Sequence, residues 1–231
     1  MKKKNSINHL SIILDGNKRW AKNKDIPIID AYKAGINNLL KISDIIIENE
    51  IKYLSVFTLS TENLNRKSIN LIFKSIFDEF SDFIEKIIKK ESIKIKVIGE
   101  KDNLPQKIQK LIYEAETVTK NNKKLTLVLA FNYGFKMELY NSFKKAYDLI
   151  TKNDKIKIEN INFDELFYLG NIPDPDILIR TGGFQRLSNY LMYNLTYTEL
   201  FFTKTLWPDF DEIELKEIIN KFINIKRNYG I

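Results

Sequence analysis

Leu125 to Phe131 is the segment that most limits what this chain can become. It is nearly all apolar, without the alternation of a strand that shows one face to water. Such a run needs cover on both sides, as in a central strand of a parallel sheet. Ser11–Leu14, Tyr53–Leu59, Ile93–Val97, Asp176–Arg180 and Asn189–Leu195 read as five further strands. Ile93, Ile95 and Val97 alternate with lysines, so that strand is half exposed. Helical spacing fills the gaps. Residues 31–48 place Ile36, Leu39, Leu40, Ser43, Ile46 and Ile47 on one face. The clearest helix is 68–90, striped by Ile69, Ile72, Phe73, Ile76, Phe77, Phe80, Phe83, Ile84, Ile87 and Ile88. Pro105 opens another, with Ile108, Leu111, Ile112, Ala115 and Val118 on one face. Helices are also expected over about 136–150 and from Asp211 to about 225, and residues 151–162 read as a mobile surface loop. Six strands alternating with helices predict a single α/β domain over residues 1–231, with a largely parallel central sheet of about six strands flanked by helices.

Composition removes several kinds of chemistry. Apolar residues make up 44% and aromatics 12% of the 231 residues, enough to bury a sizeable core. No run of about 18 apolar residues exists to span a membrane. The opening Met-Lys-Lys-Lys-Asn-Ser-Ile lacks the apolar stretch of a secretory signal. There is no cysteine, which removes disulfides, thiolate metal sites and cysteine nucleophiles. One histidine, His9, removes multi-histidine zinc sites and makes a Ser-His-Asp triad improbable. A soluble, cytoplasmic protein is the expectation.

The basic residues carry a finer signal. Lys plus Arg is 37 against 30 acidic residues, a net charge of +7, yet only Arg19, Arg66, Arg180, Arg186 and Arg227 are arginine. Arginine's planar fork binds phosphate or carboxylate through two parallel hydrogen bonds and stays charged when partly buried. Where it is scarce, each one invites a function. The lysines are spread along amphipathic helices and read as solvated surface, so no nucleic-acid partner is expected.

In open parallel sheets the ligand sits at the carboxyl ends of the strands. Asp15-Gly16-Asn17-Lys18-Arg19, Ser60-Thr61-Glu62-Asn63 and Arg180-Thr181-Gly182-Gly183 each follow a predicted strand and should converge on one rim. Asp15, Arg19, Arg66, Arg180 and glycine-flanked amides suit a polyanion, and a diphosphate with a divalent cation is the expectation. Asp15 is a hard oxygen ligand of the kind magnesium uses along with substrate phosphates. Neither Gly-x-x-x-x-Gly-Lys-Ser/Thr nor Gly-x-Gly-x-x-Gly is present, which argues against ordinary NTPases, kinases and dehydrogenases.

Five stretches together are recognisable. His9 to Ala21, including Asp15-Gly16-Asn17-Lys18-Arg19-Trp20, resembles the opening motif of the cis-prenyltransferases, the undecaprenyl diphosphate synthase family. Ser60-Thr61-Glu62-Asn63-Leu64-Asn65-Arg66 is similar to a second motif and Asn132-Tyr133-Gly134 to part of a third. Pro175 to Gly183, followed by Gln185-Arg186-Leu187-Ser188-Asn189, is close to the family's most specific stretch. Glu199 to Thr203 and Leu206 to Phe210 complete the pattern, over about residues 9–210.

The resemblance implies condensation of isopentenyl diphosphate with an allylic diphosphate such as farnesyl diphosphate, to give cis double bonds. It also implies a magnesium cofactor (Mg2+) and a homodimer. By motif, Asp15 would hold magnesium and help diphosphate depart, with Glu199 the second magnesium-associated carboxylate. Gly16, Asn17, Lys18, Arg19 and Trp20 would form the allylic site at a strand-to-helix turn. Ser60 and Asn63 would face the reacting carbons, Asn63 assisting proton removal, and Arg66 would add charge. Arg180, Arg186 and Ser188 would grip isopentenyl diphosphate. Tyr32, Thr61, Glu62, Leu64 and Leu187 share these motif positions and are carried as further substrate-binding candidates. Phe73, Phe77, Phe80 and Phe83, with Leu129 and Phe131 opposite, are either the wall of a lipid channel or an ordinary core face. A long lipid product implies transient contact with a membrane.

Departures from the family pattern are also visible. Lys18 stands where glycine is usual, Ile28 and Tyr32 where an arginine and a histidine help bind the allylic diphosphate, and Leu64 where tryptophan is usual. Phe135-Lys136 replaces Gly-Arg, and Phe184 replaces an acidic residue. The losses at 28 and 32 predict weaker allylic binding. A glycine at 18 could also serve a backbone conformation that lysine dislikes. Two other readings stand beside the enzyme: a non-catalytic relative acting as a subunit, and a basic nucleic-acid-binding domain. Retention of the Asp15 loop disfavours the former, and the lack of clustered arginines or an aromatic-basic platform disfavours the latter. His9 and Trp207-Pro208-Asp209 read as structural, and Pro173-Asp174-Pro175-Asp176 as a rigid turn rather than an acidic metal motif.

Overall fold

A computed structural model describes residues 5–61, 69–152 and 156–227, with backbone alone for 69–77. Six strands form one sheet, all neighbours parallel: β1 (His9–Ile13), β2 (Tyr53–Ser60), β3 (Ile93–Ile98), β4 (Leu125–Tyr133), β5 (Ile177–Arg180) and β6 (Glu199–Phe202). Their order is β3-β4-β2-β1-β5-β6. The apolar run at 125–131 is the body of β4, buried along nearly its whole length between β2 and β3.

Six helices are described: α1 (Asn17–Lys24), α2 (Ile28–Glu48), α3 (Ile69–Lys90), α4 (Gln106–Thr119), α5 (Phe135–Lys152) and α6 (Glu212–Asn224). Alternate residues of the same strands feed two cores. Leu10, Ile12, Leu54, Val56, Leu127 and Leu129 face the larger one, closed by Ile42 and Ile46 of α2, Phe83 and Ile87 of α3, Ile112 of α4 and Phe222 of α6. Ile13, Val128, Ala130 and Leu178 face a smaller one, where Tyr133, Leu169, Tyr190 and Leu191 are buried. No described helix is long and apolar enough to cross a membrane.

Three expectations need correction. The sixth strand is Glu199–Phe202, not Asn189–Leu195. The latter segment is a succession of turns, because Ser188, Asn189 and Leu191 have φ of 54°, 64° and 42°. A single left-handed residue can be absorbed as a bulge, but three within four positions break a pleated ladder, and the apolar character of this segment goes instead into burying Tyr190 and Leu191. Second, helical spacing gives no helix before residue 31, whereas α1 starts at Asn17, at the strand-to-helix turn that the resemblance implies. α1 is polar almost all round, with only Ala21 buried, so it carries no stripe. Asp25, at φ 53°, and Pro27 separate it from α2. Third, α5 runs to Lys152 and Ile158–Asn160 form a 3-10 turn, so residues 151–162 are not one loop.

Topology places the functional rim. β1 has β2 on one side and β5 on the other, although β5 follows it by more than 160 residues. The chain changes direction across the sheet at β1, and a crevice opens at the carboxyl ends of β1 and β5.

Candidate active site

Asp15 lies two residues beyond β1, at that crevice. Its main chain is fixed from three sides. The Thr181 hydroxyl accepts from Asp15 N–H at 3.0 Å and donates to Asp15 C=O at 2.7 Å, and Trp207 N–H donates to the same carbonyl at 3.0 Å. Gly16 follows at φ 122°, and a Cβ there would lie 2.9 Å from the Leu206 main chain. Only glycine fits this turn. α1 then begins at Asn17 with no side-chain cap and no acidic residue in its first turn. Its leading N–H groups have no intrahelical partners and carry the positive end of the helix dipole, a ready anion cradle.

Two arginines share the Asp15 carboxylate. Arg19 Nη2 sits 3.1 Å from Oδ1 and Arg180 Nη2 2.8 Å from Oδ2. Arg19 Nη1 also donates to the Gly182 carbonyl at 2.6 Å. Arg180 ends β5 with its side chain almost wholly buried, and its Nη1 donates to Ser188 Oγ at 2.6 Å and to the Arg186 carbonyl. Ser188 and Leu191 are held left-handed in this loop, backbone strain of the order of 1–3 kcal/mol each that surrounding bonds must offset. Leu187 is half-buried against the smaller core. Arg186 is exposed, and its guanidinium lies 4.3 Å from the centre of the Phe184 ring.

The loops after β2 and β4 reach the same rim. Ser60 closes β2 opposite Tyr133. A Cβ on Gly134 would come 2.7 Å from Thr61 Oγ1 and 2.8 Å from Asn189 Nδ2, so these three residues touch. Asn189 ties the rim together: its carbonyl accepts from Phe135 N–H at 2.8 Å and its side-chain oxygen from Lys136 N–H at 3.0 Å, capping the start of α5. Glu62, Asn63, Leu64 and Arg66 lie outside the described residues.

Three buried polar atoms here have no hydrogen-bond partner among the described residues: Arg180 Nε, Trp20 Nε1 and Asn17 Oδ1. A buried group left unsatisfied costs roughly 1–3 kcal/mol. Two of the three are donors, and a many-oxygened anion would satisfy them. Lys24 Nζ stands 4.4 Å from the centre of the Trp20 ring. Lys18 is exposed and helical, absent from the positive-φ residues, so position 18 needs no glycine freedom. Tyr32, in the first turns of α2, is half-buried, and burial pushes its phenol pKa up.

Glu199 is not where a metal pair with Asp15 requires it. It opens β6 beside Ile177, which in turn pairs with Leu10. Glu199 is therefore level with Leu10, five residues behind Asp15, while strands rise about 3.3 Å per residue. Its near neighbour is Arg227, 3.9 Å away, which also meets Asp176 at 3.3 Å. Within one chain Asp15 is the rim's described carboxylate, and no cluster of three metal-ligating side chains occurs among the described residues. One carboxylate suffices for a magnesium ion carried on substrate phosphates, because each Asp15 oxygen keeps a lone pair beyond its arginine bond.

Groups read as structural are used that way. His9 is fully buried at the amino end of β1. Its Nδ1–H donates to the Pro173 carbonyl at 2.6 Å, which leaves Nε2 to accept from Ser55 Oγ at 2.7 Å. Burial lowers its pKa to about 4. Asp176 accepts from Asn8 and His9 N–H, and Asp174 from Asn194. Trp207 is buried, with Nε1 donating to the Gly35 carbonyl.

The family model for undecaprenyl diphosphate synthase matches residues 13–230. The chain belongs to this family. A ditrans,polycis-undecaprenyl-diphosphate synthase, (2E,6E)-farnesyl-diphosphate specific, of Micrococcus luteus is 36% identical over 239 residues, spanning 99% of this chain and 95% of the relative. An isoprenyl transferase of Thermotoga maritima is 35% identical over 226 residues, 96% of each. Among solved structures, lavandulyl diphosphate synthase from Lavandula x intermedia, in complex with dimethylallyl diphosphate, superposes with a TM-score of 0.90 at 29% identity, covering 97% of this chain and 98% of that one. The expected family and fold are those found, and the protein is a prenyltransferase.

Sequence reasoning passed over Thr181, Trp207 and Asn189 as site-builders, and over the ring of Phe184. Thr181 sits inside a recognised motif, which was its available signal. Phe80 and Phe83 are buried in the larger core, the Phe80 ring stacked on Phe131 at 5.7 Å, so these members of the aromatic row are core. The side chains of Phe73 and Phe77 lie outside the described residues.

Proposed function

We propose that the chain joins isopentenyl diphosphate to an allylic diphosphate of about farnesyl size, giving a cis-polyprenyl diphosphate, and that it works with magnesium, as a homodimer, in the cytoplasm. The observation that carries this reading is the Asp15–Arg180 contact, which places one anion cradle beside another. Uncapped N–H groups at Asn17–Arg19, with the Arg19 guanidinium, receive the allylic diphosphate. Arg180, Arg186 and Ser188 take isopentenyl diphosphate. Two separate grips hold the reacting carbons in attack geometry.

As the allylic C–O bond breaks, negative charge gathers on the departing diphosphate. Arg19, the α1 N-terminus and Trp20 Nε1–H meet that charge, and each such donor is typically worth a factor of about 10² to 10³ in rate. The isopentenyl double bond supplies the electron pair for the new C–C bond, and a proton then leaves the isopentenyl unit, with Ser60 and Asn63 assigned to that side. Asp15 would hold magnesium together with diphosphate oxygens, and the ion's contribution is to neutralise charge on the leaving group. Tyr32, Thr61, Glu62, Leu64, Arg66 and Leu187 complete the proposed substrate contacts. Glu199 reaches such an ion only from a second copy of the chain, consistent with β6 being the edge strand of the sheet.

The test is incubation with labelled isopentenyl diphosphate, farnesyl diphosphate and magnesium, with chelator and Asp15→Ala as controls. A butanol-extractable labelled product that disappears in both controls is expected. Product that persists with Asp15→Ala would remove Asp15 from the reaction, and no product from the unaltered chain would remove the reading.

A further inference from the structure

Phe184 stands where an acidic residue is common in the family, and its ring is the meeting point of three guanidinium groups. Arg186 Cζ lies 4.3 Å, Arg19 Cζ 4.8 Å and Arg180 Cζ 5.8 Å from the ring centre. The ring is 41% exposed, so it is not a core residue that happens to touch them. Arg19 and Arg180 have the Asp15 carboxylate as a second anchor. The side chain of Arg186 has no hydrogen bond or carboxylate partner among the described residues, and the ring is its anchor.

From this geometry we infer that Phe184 is a positioning residue for both diphosphate grips. An aromatic face attracts cations through its quadrupole and carries no net charge. A carboxylate at this place would gather the same arginines but cancel one of their charges and occupy the fork that a phosphate needs. With the ring, three arginines and one aspartate leave a local charge of 3 − 1 = +2 for the ligand. The ring also spans the two cradles, since Arg19 belongs to the α1 side and Arg186 to the β5 loop. It thereby fixes Arg186, the member that other contacts leave loose, at a set place relative to Arg19. Arginine's long side chain loses much rotamer freedom when it grips a ligand, and an anchor on the free protein removes part of that cost before binding.

The inference rests on reading these arginines as diphosphate ligands, so its test uses inorganic pyrophosphate, whose binding does not depend on the prenyl substrates. Phenylalanine at 184 is replaced by analogues bearing one to five ring fluorines, which keep the shape and progressively cancel the quadrupole, and Phe184→Leu and Phe184→Tyr are made alongside. Pyrophosphate affinity is measured by calorimetry, and KM and kcat with labelled isopentenyl diphosphate. The expected result is a stepwise fall in pyrophosphate affinity with fluorine number. Phe184→Leu should lose roughly three- to tenfold, the scale of one or two exposed cation–π contacts, and Phe184→Tyr should stay near wild type. KM should rise in parallel while kcat stays within about twofold. A flat fluorine series, or Phe184→Leu equal to wild type, overturns the inference. A graded series on a protein that makes no polyprenyl product would sustain the inference as pyrophosphate binding and defeat the functional reading alone.

Discussion

Asp15 and Arg180 are 165 residues apart in sequence and meet at 2.8 Å, carboxylate to guanidinium, across the step between β1 and β5. Arg180 uses both ends of its fork: Nη2 takes Asp15 and Nη1 takes Ser188 Oγ and the Arg186 carbonyl. One planar group thus fixes the metal-binding candidate and the left-handed loop together.

Lysine cannot make that connection, because an ammonium is a point charge on a flexible stem. Arg180→Lys should keep the charge and lose the geometry, with kcat/KM for isopentenyl diphosphate falling about 10²-fold, near the loss seen when one preorganised donor is removed. Steady-state kinetics check this, and activity within threefold of wild type would show that charge alone suffices.

Gly16→Ala should damage the fold as well as the site. The new Cβ meets the Leu206 main chain at 2.9 Å and the residue must hold φ 122°, so neither a rotamer change nor a small shift relieves it. A stability loss of about 1–3 kcal/mol is expected from the backbone strain, read as a lower urea midpoint at unchanged m-value, together with loss of activity.

Tyr32 and Ile28 offer no cation to an allylic diphosphate. The KM for farnesyl diphosphate should therefore exceed that of the Micrococcus luteus relative assayed in parallel. Tyr32→His should lower it about ten- to a hundredfold, the worth of one hydrogen bond to a charged group. An unchanged KM in Tyr32→His would place residue 32 outside the substrate site.

His9 makes stability depend on pH. Its pKa is about 4 in the folded chain against 6.5 as the ordinary value, so below about pH 6.5 the unfolded chain binds the extra proton. The contribution is complete above pH 6.5 and is lost as pH falls toward 4, by about 3 kcal/mol over that window. In His9→Gln the pH dependence of the urea midpoint between pH 7 and 4.5 should flatten.

Phe80→Ala should act as a core deletion. Phe80 packs on Phe131 and Phe83 in the larger core, and truncation of a buried phenylalanine typically costs about 3–5 kcal/mol. A drop of that size in unfolding free energy is expected. If stability held and mass spectrometry showed a longer product, the residue would line a channel instead.

Most of the frame was legible because local pattern and tertiary role agree. β4 reads as buried on both faces and is. The loop Asp15–Arg19 and the loop from Arg180 were placed on one rim because each follows a strand, and a parallel sheet puts all strand ends together. α1 was not legible in the spacing of apolar residues, since a helix that buries only Ala21 leaves no apolar period, and only the motif resemblance implied a helix after Gly16. The Asn189–Leu195 segment looks like a strand to any reading of apolarity, because the left-handed φ values of Asn189 and Leu191, and of Ser188 just before them, are invisible in composition. Glu199 came from the family motif alone, and no strand reading told which end of the sheet it would occupy; with β6 starting at it, Glu199 falls at the end opposite Asp15 within one chain. The ring of Phe184 could be noted as a departure, but its three neighbours come from two distant loops and only the fold assembles them.

The interleaved strand order has a consequence for biosynthesis. β1 and β2 leave the ribosome early, yet β5 and the Trp207 corner, which complete the Asp15 turn, are among the last parts made. Long-range parallel pairing forms slowly because the intervening chain must close first. A nascent or truncated chain ending before about residue 177 therefore presents β1 with one flank bare and lacks Arg180 and Thr181, which hold Asp15. The Asp15 turn is complete only once the last quarter of the polypeptide has docked.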